Sequence, residues 1–252
     1  MDSKERFSDR VDAYRKYRPR YPDEIADTLK SKCNLNARTV VADIGSGTGI
    51  FSELLVDHCD RVYAVEPNQN MRQAAQENLS KYTNFISIDG SAESTNLAAK
   101  SVDIVCAAQS FHWFDEEKTQ QEFSRILRGE KWVILIWNDR IAHGDDFNAA
   151  YNDLLRQFFS QERKANRKMI NEEVIGKFYG SSGCEISTMY NYQELDLDGL
   201  KGRFLSSSYT PKESSRYHAS ALNKLKDIFH EYQQDGHVVI KYNTKVYYGR
   251  II

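Results

Sequence analysis

A glycine-rich turn between an apolar run and a helical pattern is the feature that most constrains the fold of this chain. The short run from Val40 to Ile44 is apolar except for one acid, and Gly45-Ser46-Gly47-Thr48-Gly49 follows it directly. From Ile50 onward the residues have the spacing of a helix. Because glycine adopts backbone conformations that other residues avoid, this turn allows a ligand to lie against bare backbone at a helix N-terminus.

The segment from Arg38 to Asn138 continues this order of strands and helices. The predicted strands cover residues 39–44, 61–66, 84–89, 102–108 and 132–137. The predicted helices between them cover residues 49–58, 71–79 and 116–127. Strands that alternate with helices of this length are typical of a parallel sheet with helices on both faces. We therefore predict an α/β fold with a doubly wound, mostly parallel sheet.

The second half of the chain departs from that order. Helical spacing predicts helices within 143–182, over 200–209 and over 222–232, whereas residues 185–195 and 237–248 alternate like strands. No repeat, low-complexity tract or linker divides the chain. We therefore expect a single domain over 1–252, made of an N-terminal arm or lid (1–35), a core (36–139), a cap insertion (140–205) and a C-terminal helix and strand (206–252).

The N-terminal arm is rich in aromatic and basic residues. Pro19 and Pro22 interrupt any long helix here, so we predict a short helix over 8–16 and a second over 23–32. Two interpretations are open, an arm that packs its aromatic residues on the core and a lid that covers a site. The residues concerned are Phe7, Tyr14, Arg15, Tyr17, Arg18, Arg20 and Tyr21.

Charge and composition argue against several classes of function. The chain carries a formal net charge of -2, so no overall basic field favours nucleic acid. The charged N-terminus is unlike a signal peptide, and no apolar run approaches the ~20 residues needed to span a membrane. The histidines are dispersed, and we expect no metal site. The cysteines form no CxxC pair, so we expect reduced thiols and a cytoplasmic protein; they are Cys33, Cys59, Cys106 and Cys184.

The spacing of the glycines separates two classes of cofactor. Dinucleotide-binding enzymes use GxGxxG, but Ile50 stands at the third glycine position after Gly47. Asp43 lies two residues before the first glycine, where a carboxylate suits a cationic or amine-bearing ligand and repels a pyrophosphate. An NAD-dependent oxidoreductase is therefore the less favoured alternative.

The run from Asp43 to Gly49 resembles motif I of the class I S-adenosylmethionine-dependent methyltransferases. This resemblance implies that the motif binds S-adenosylmethionine and that the sheet is Rossmann-like, with an antiparallel hairpin at its C-terminal end. It also implies that Glu66, before Pro67, accepts hydrogen bonds from both ribose hydroxyls. The two oxygens of a carboxylate suit two neighbouring donors.

Two further segments are similar to those of the same family. Gly90-Ser91-Ala92-Glu93 resembles the Gly-Asp-Ala-Glu loop beside the adenine, with Ser91 at the usual Asp position and Asp89 as its possible substitute. The segment from Gln109 to Asp115 resembles the methyltransferase type 11 branch, which includes ubiquinone-pathway and trans-aconitate methyltransferases. In that branch the arm folds over the cofactor. The residues that the resemblance assigns to the cofactor are Asp43, Gly45, Ser46, Gly47, Gly49, Glu66, Pro67, Asp89, Ser91, Ala92, Glu93, Gln109, Tyr14 and Arg18.

We therefore expect methyl transfer to a small-molecule acceptor. In-line attack on an activated methyl group depends mainly on proximity and orientation. The Asn/Asp-Pro-Pro-Tyr element of nucleic-acid amino-methyltransferases is missing from the segment after the fourth predicted strand. A cofactor-binding scaffold without catalysis is a further alternative, and neither the acceptor atom nor the oligomeric state is indicated.

No catalytic residue is assigned from the sequence. His112 is the candidate general base, but its apolar surroundings also fit a structural histidine. A carboxylate acceptor would need no base and would favour cationic partners. Arg15, Arg18 and Arg20 are candidates for that role, against the alternative of a solvated basic face.

Overall fold

A sheet of seven strands forms the centre of the fold. The computed structural model describes residues 16–142, 145–162, 171–207, 210–211 and 213–251. Tyr14, Arg15, most of the helix predicted over 8–16 and Tyr209 lie outside these residues. The strands are β1 (Val40–Ile44), β2 (Arg61–Val65), β3 (Phe85–Ile88), β4 (Val102–Ala108), β5 (Leu127–Arg140), β6 (Glu185–Leu195) and β7 (Val238–Arg250).

The strand order confirms the predicted fold class. The sheet runs β3-β2-β1-β4-β5-β7-β6, and β1 to β5 pair in parallel. Only β7 is reversed, since it pairs antiparallel with both β5 and β6. The fold is therefore Rossmann-like with an antiparallel C-terminal end.

Eight helices of the described chain surround the sheet, and side-chain caps fix where several of them begin. Asn68 accepts a hydrogen bond from the Met71 amide, and Asp196 accepts one from the Gly199 amide. None of these helices combines the length and apolar character needed to cross a membrane. The helices are α1 (Glu24–Cys33), α2 (Ile50–Leu55), α3 (Gln69–Asn78), α4 (Glu116–Ile126), α5 (Asp146–Glu162), α6 (Glu172–Tyr179), α7 (Leu197–Leu205) and α8 (His218–Tyr232).

Both faces of the central parallel strands β1 and β4 are largely buried, as expected of parallel strands between layers of helices, whereas the edge strand β6 is partly exposed. Leu135 of β5 belongs to the same buried cluster as Phe123 of α4. Its neighbour Ile134 points to the opposite face and belongs to the cluster of Phe51 on α2. Neighbouring residues of one strand thus stabilise the two layers of helices.

A third apolar cluster lies in the second half of the chain. It joins Tyr151 of α5, Leu200 of α7, Leu225 of α8 and Ile240 of β7. The segment 140–205 contributes helices to this cluster and also supplies β6, an edge strand of the main sheet. These helices therefore pack on the end of the sheet that β7 and β6 extend.

Candidate functional site

The glycine loop is held tightly against the carboxyl end of β1. Gly45, Gly47 and Gly49 have φ of 67°, 57° and 82°, the left-handed region that favours glycine. The Gly45 amide donates to the Val65 carbonyl at 2.8 Å. A Cβ at Gly45 would lie 2.5 Å from the Cβ of Ser110. Both conformation and space therefore require glycine here.

Asp43 is a buried acid at the same end of β1. Its Oδ2 accepts a hydrogen bond from the Ser52 hydroxyl at 2.7 Å. Its Oδ1 is buried and has no hydrogen-bond partner among the residues that the structure describes. Burial raises the pKa of Asp43 from 3.8 to about 7, and the nearby charge of Glu66 adds to the effect. An unsatisfied buried carboxyl oxygen suits a cationic or hydrogen-bond-donating ligand.

Glu66 joins the glycine loop to the loop that follows β2. Its Oε2 accepts from the Gly47 amide at 3.0 Å, and its Oε1 accepts from the Asn68 amide at 2.9 Å. Burial raises the pKa of Glu66. Each carboxylate oxygen has two lone pairs and can accept a second bond, so a pair of ligand hydroxyls can still be recognised here.

The loop after β3 is a closed turn held by its own neighbours. Ser91 and Ser94 exchange backbone hydrogen bonds, and Ala92 is buried. Glu93 accepts from the Asp115 amide at 2.9 Å, and the carboxylate of Asp89 forms an ion pair with Arg72 at 2.9 Å. The carboxylates of Asp89 and Glu93 therefore already have protein partners, and a role at the adenine stays a prediction.

Gln109 lies where β4 ends and has an unusual backbone conformation. Its φ of 59° is left-handed, which is uncommon for a residue with a side chain and is a frequent sign of a functional position. Its amide donates to the Ile136 carbonyl at 2.9 Å, and its side chain reaches the Asn138 carbonyl at 3.4 Å. These bonds hold Gln109 between β4 and β5, at the wall of a cavity.

His112 lies away from that cavity, in the short 3-10 turn Phe111–Trp113. The ring is buried and packs against Trp113, with ring centroids 4.8 Å apart. Its neighbours Phe111 and Phe114 are core residues. This placement favours the structural interpretation of His112 over a role as general base.

A cavity of about 420 Å³ opens at the carboxyl ends of β1, β4 and β5. Of the residues predicted for the cofactor, five line it: Arg18, Asp43, Gly45, Ser46 and Gln109. The other predicted residues of the described chain are not part of this wall: Gly47, Gly49, Glu66, Pro67, Asp89, Ser91, Ala92 and Glu93. The sequence-based prediction omitted the lining residues of the second half, which are Asn138, Asp139, Arg140, Asn152, Leu155, Arg156 and Arg203.

The N-terminal segment closes one side of this cavity. Arg18, Pro19 and Tyr21 contribute to the lining, and the Arg18 guanidinium donates to the Ser206 carbonyl at 2.7 Å. This part of the arm packs on the core and lines the cavity, and its action as a lid stays a prediction.

The residues around the glycine loop indicate which ligand the site can hold. Across the described ranges, no group of three or more His, Cys, Asp and Glu side chains is arranged to hold a metal ion. S-adenosylmethionine carries a ribose, an amine and a positively charged sulfur. Three features of the site together fit these groups: the backbone at Gly45, which has no room for a Cβ, the carboxylate of Glu66 and the unpartnered oxygen of Asp43.

Comparison with known proteins agrees with this fit. A methyltransferase domain family matches residues 42–135. An uncharacterized methyltransferase of Schizosaccharomyces pombe is 26% identical over 229 residues, or 88% of each chain. A second methyltransferase-like protein of that yeast is 31% identical over 135 residues, which are 53% of this chain. The match spans about half of that relative, 52% of its length.

The fold comparison extends over nearly the whole chain. A structure solved as a type II methyltransferase from Anaeromyxobacter dehalogenans superimposes with a TM-score of 0.70 at 19% identity. The match covers 94% of this chain and 99% of that one. Residues 42–135 thus match the methyltransferase domain family, and the chain as a whole shares the fold of that solved structure.

Proposed function

We propose that this protein transfers the methyl group of S-adenosylmethionine to a small molecule bound in the 420 Å³ cavity. The observation that carries the proposal is that the motif I residues Asp43 and Gly45 line the same cavity as Arg140 and Arg203 from the second half. Cavities of this size hold small ligands, and open α/β sheets bind ligands at the carboxyl ends of their strands.

The residues of motif I and Glu66 are the proposed cofactor contacts. The cofactor supplies a methyl group on a positively charged sulfur. The bare backbone at Gly45 and Gly47 allows close approach, Glu66 accepts from the ribose hydroxyls, and Asp43 balances positive charge. Gln109 and Arg18 lie at the same cavity and complete the proposed contacts.

Positioning is the proposed source of the rate enhancement. In the described part of the lining there is no His, Cys, Lys or Glu side chain. Asp43, Asp139 and Tyr21 are the lining side chains with a titratable acid or hydroxyl group, and Asp43 is placed with the cofactor. We propose that catalysis depends mainly on holding the acceptor in line with the methyl group. Because part of the cofactor also occupies this cavity, the remaining volume fits a small-molecule acceptor.

Calorimetric titration with S-adenosylhomocysteine tests the cofactor site. Glu66→Gln should weaken binding by about 1–3 kcal/mol, because one hydrogen-bond acceptor is lost in a partly buried site. Gly45→Ala should weaken it further, since the added methyl group meets Ser110. Gly176→Ala is the matched control, because a methyl group there touches nothing within 4 Å. Wild-type affinity in both site variants would contradict the assignment.

A methyl-transfer assay distinguishes a methyltransferase from the two alternatives, a cofactor-binding scaffold without catalysis and an NAD-dependent oxidoreductase. Methyl-labelled cofactor is incubated with small acids, amines and phenols, and release of S-adenosylhomocysteine is measured. Cofactor binding without transfer to any acceptor would favour the scaffold. Trp137 lines the cavity and reports ligands by fluorescence. Quenching by nicotinamide dinucleotides that S-adenosylhomocysteine does not reverse would favour the oxidoreductase.

A further inference from the structure

A row of hydrogen bonds behind the lining residues connects the cavity wall to the N-terminal segment. The Nε of Arg203 donates to the Tyr242 hydroxyl at 3.2 Å, and this hydroxyl donates to the Oε1 of Gln193 at 2.9 Å. The Nε2 of Gln193 then donates to the Tyr17 carbonyl at 3.2 Å. We call these residues the Gln193 network. Both of its ends reach the cavity, because Arg203 lines it and Tyr17 directly precedes Arg18, which also lines it.

Each group of the Gln193 network has one role that fits its neighbours. A guanidinium has donors only, so the Tyr242 hydroxyl accepts from Arg203 through a lone pair. Its single proton is then directed to the oxygen of the Gln193 amide. With that oxygen engaged, the amide nitrogen points to the Tyr17 carbonyl, which can only accept. The directions of the three bonds therefore agree from Arg203 to the N-terminal segment.

Burial makes this agreement costly to break. Arg203 is 3% exposed and Tyr242 is 1% exposed, so a polar group that loses its partner here finds little water to replace it. Were the Gln193 amide turned over, its nitrogen would face the Tyr242 hydroxyl, and both the hydroxyl proton and the Tyr17 carbonyl would lose their partner. Hydrogen bonds in a row also strengthen one another. The orientation of the Gln193 amide is therefore tied to the groups on both sides of it.

From this geometry we propose that Gln193 is a positioning residue, which couples the orientation of Arg203 in the cavity wall to the attachment of the N-terminal segment. Gln193 is not one of the residues that line the cavity, so it acts through Tyr242 on one side and the Tyr17 carbonyl on the other. Such a coupling is reciprocal. A ligand that holds Arg203 in place favours attachment, and attachment favours that position of Arg203. That this ligand is the cofactor or its acceptor rests on the proposed function.

The N-terminal segment also contacts α7 directly. The Tyr17 ring lies on Gly202, and the Arg18 guanidinium donates to the Ser206 carbonyl at 2.7 Å. Arg203 lies between these two contact points in the sequence. Variants in the middle of the network leave the direct contacts in place and therefore isolate the coupling.

Limited proteolysis of the whole protein by trypsin measures attachment, through cleavage after Lys16 and Arg20. Gln193→Leu removes both amide bonds at similar size. Tyr242→Phe removes only the middle hydroxyl, whose hydrogen bonds go to Arg203 and Gln193. We expect each variant to accelerate this cleavage about three- to tenfold without any ligand, because a hydrogen bond of the attached state is lost and cleavage follows the detached fraction.

Tyr248→Phe is the matched control for these variants. Its hydroxyl also connects β7 to β6, since it donates to Glu185 at 2.9 Å, but Tyr248 does not line the cavity. It should leave the cleavage rate unchanged. The double variant of Gln193→Leu and Tyr242→Phe should be cleaved no faster than Gln193→Leu alone, because both changes break the same network. A wild-type rate in either single variant, or effects that multiply in the double variant, would overturn the proposal.

The NMR signal of the Arg203 Nε–H, assigned by comparison with Arg203→Lys, reports on the orientation of this side chain. Gln193→Leu should shift the signal although the Tyr242 hydroxyl stands between the two residues. Tyr248→Phe should leave it in place. This measurement decides the matter even when Tyr242→Phe does not fold, since an unchanged Arg203 signal in Gln193→Leu would overturn the coupling.

Saturating S-adenosylhomocysteine tests the connection to the proposed function. It should slow cleavage of the wild type, and slow it less in Gln193→Leu, because the ligand then holds Arg203 without a connection to the segment. Equal slowing in both proteins would overturn the coupling. No binding of S-adenosylhomocysteine by the wild type would instead contradict the proposed function, and cleavage without ligand and the Arg203 signal would still decide the role of Gln193.

Discussion

At the scale of single residues, Asp43 is the side chain whose state depends most on the cofactor. One of its oxygens accepts a hydrogen bond from Ser52, and the other is buried and has no hydrogen-bond partner among the described residues. Burial raises its pKa to about 7, so near neutral pH the protonated and ionised forms are both populated. A positively charged ligand beside it stabilises the carboxylate and lowers that pKa.

Binding of S-adenosylmethionine near pH 7 should therefore release a proton from Asp43. Calorimetry in buffers with different ionisation enthalpies measures this release. Asp43→Asn should abolish it, because the amide keeps the hydrogen-bond acceptor for Ser52 but does not ionise. Equal proton release from the wild type and the variant would contradict the assignment to Asp43. S-adenosylhomocysteine, which lacks the positive sulfur, should release less.

At the scale of elements, the loop after β3 depends on one carboxylate from α4. Glu122 accepts from the Thr95 amide at 2.8 Å and from the Thr95 hydroxyl at 2.5 Å. Arg125 donates to the other oxygen at 2.7 Å. Burial opposes ionisation of Glu122, but these hydrogen bonds outweigh it and lower the pKa from 4.5 to about 2. The Glu122 side chain thus ties Thr95, in the loop predicted beside the adenine, to the helix.

Glu122→Gln should lower the free energy of unfolding by about 1–3 kcal/mol at neutral pH, because buried donors lose their acceptor. The lowered pKa gives a stability that is present above pH 4.5 and is lost as the pH falls toward 2. Urea denaturation at neutral pH and in acid should therefore show that the difference in the free energy of unfolding between the wild type and Glu122→Gln becomes smaller in acid. Glu173→Gln is the control, since its ion pair with Lys177 is exposed and contributes little. An equal loss in both variants, or a loss independent of pH, would refute this role.

The sequence predicts the ranges of helices and strands better than it predicts which strands pair with each other. The helix at Glu24–Cys33 and the strand at Val102–Ala108 follow the expected ranges closely, because local spacing reports which side of an element is buried. The insertion of β7 between β5 and β6 is not visible in that spacing, since strand pairing is a contact between distant residues. The Rossmann-like strand order with an antiparallel end is predicted only by the resemblance to the methyltransferase family.

The same reason limits prediction of the site. Asp43 and the glycines are neighbours in sequence, so one motif identifies them. Arg140, Arg156 and Arg203 lie on three separate elements, and only tertiary packing brings them to one cavity. The spacing of Asn152 and Arg156 places two polar residues on one face of the amphipathic helix α5, and it is the sequence signal for that part of the wall. The sequence alone does not separate the two interpretations of His112, because a titratable side chain in a motif can also be a buried core residue.

At the scale of the whole molecule, the N-terminal segment is fastened to the second half of the chain. The Tyr17 carbonyl accepts from Gln193, and the Arg20 carbonyl accepts from Asn191 at 2.8 Å. The ring of Tyr17 lies directly on Gly202 of α7, where a Cβ would overlap it. The N-terminal segment beside the cavity is therefore held by β6 and α7. These two elements lie more than half the chain further along the sequence.

Gly202→Ala should push the Tyr17 ring off α7 and loosen this cover. We expect faster cleavage of the N-terminal segment in limited proteolysis and weaker S-adenosylhomocysteine binding, with the rest of the fold retained. Gly176→Ala serves again as control, because open space surrounds that position. Unchanged proteolysis and affinity in Gly202→Ala would show that the segment holds without this contact.

The bonds of Tyr17 and Arg20 to β6 have a consequence for how such an enzyme diversifies. In both, the amide side chains of Gln193 and Asn191 hold backbone carbonyls, which every amino acid provides. Side chains of this segment other than those of Tyr17 and Arg18 can therefore be exchanged while the backbone bonds keep it attached. Because Tyr21 of that segment lines the cavity, inherited changes at this position can alter which acceptors enter without breaking those backbone bonds. The backbone attachment separates substrate range from closure and gives this half of the wall room to evolve.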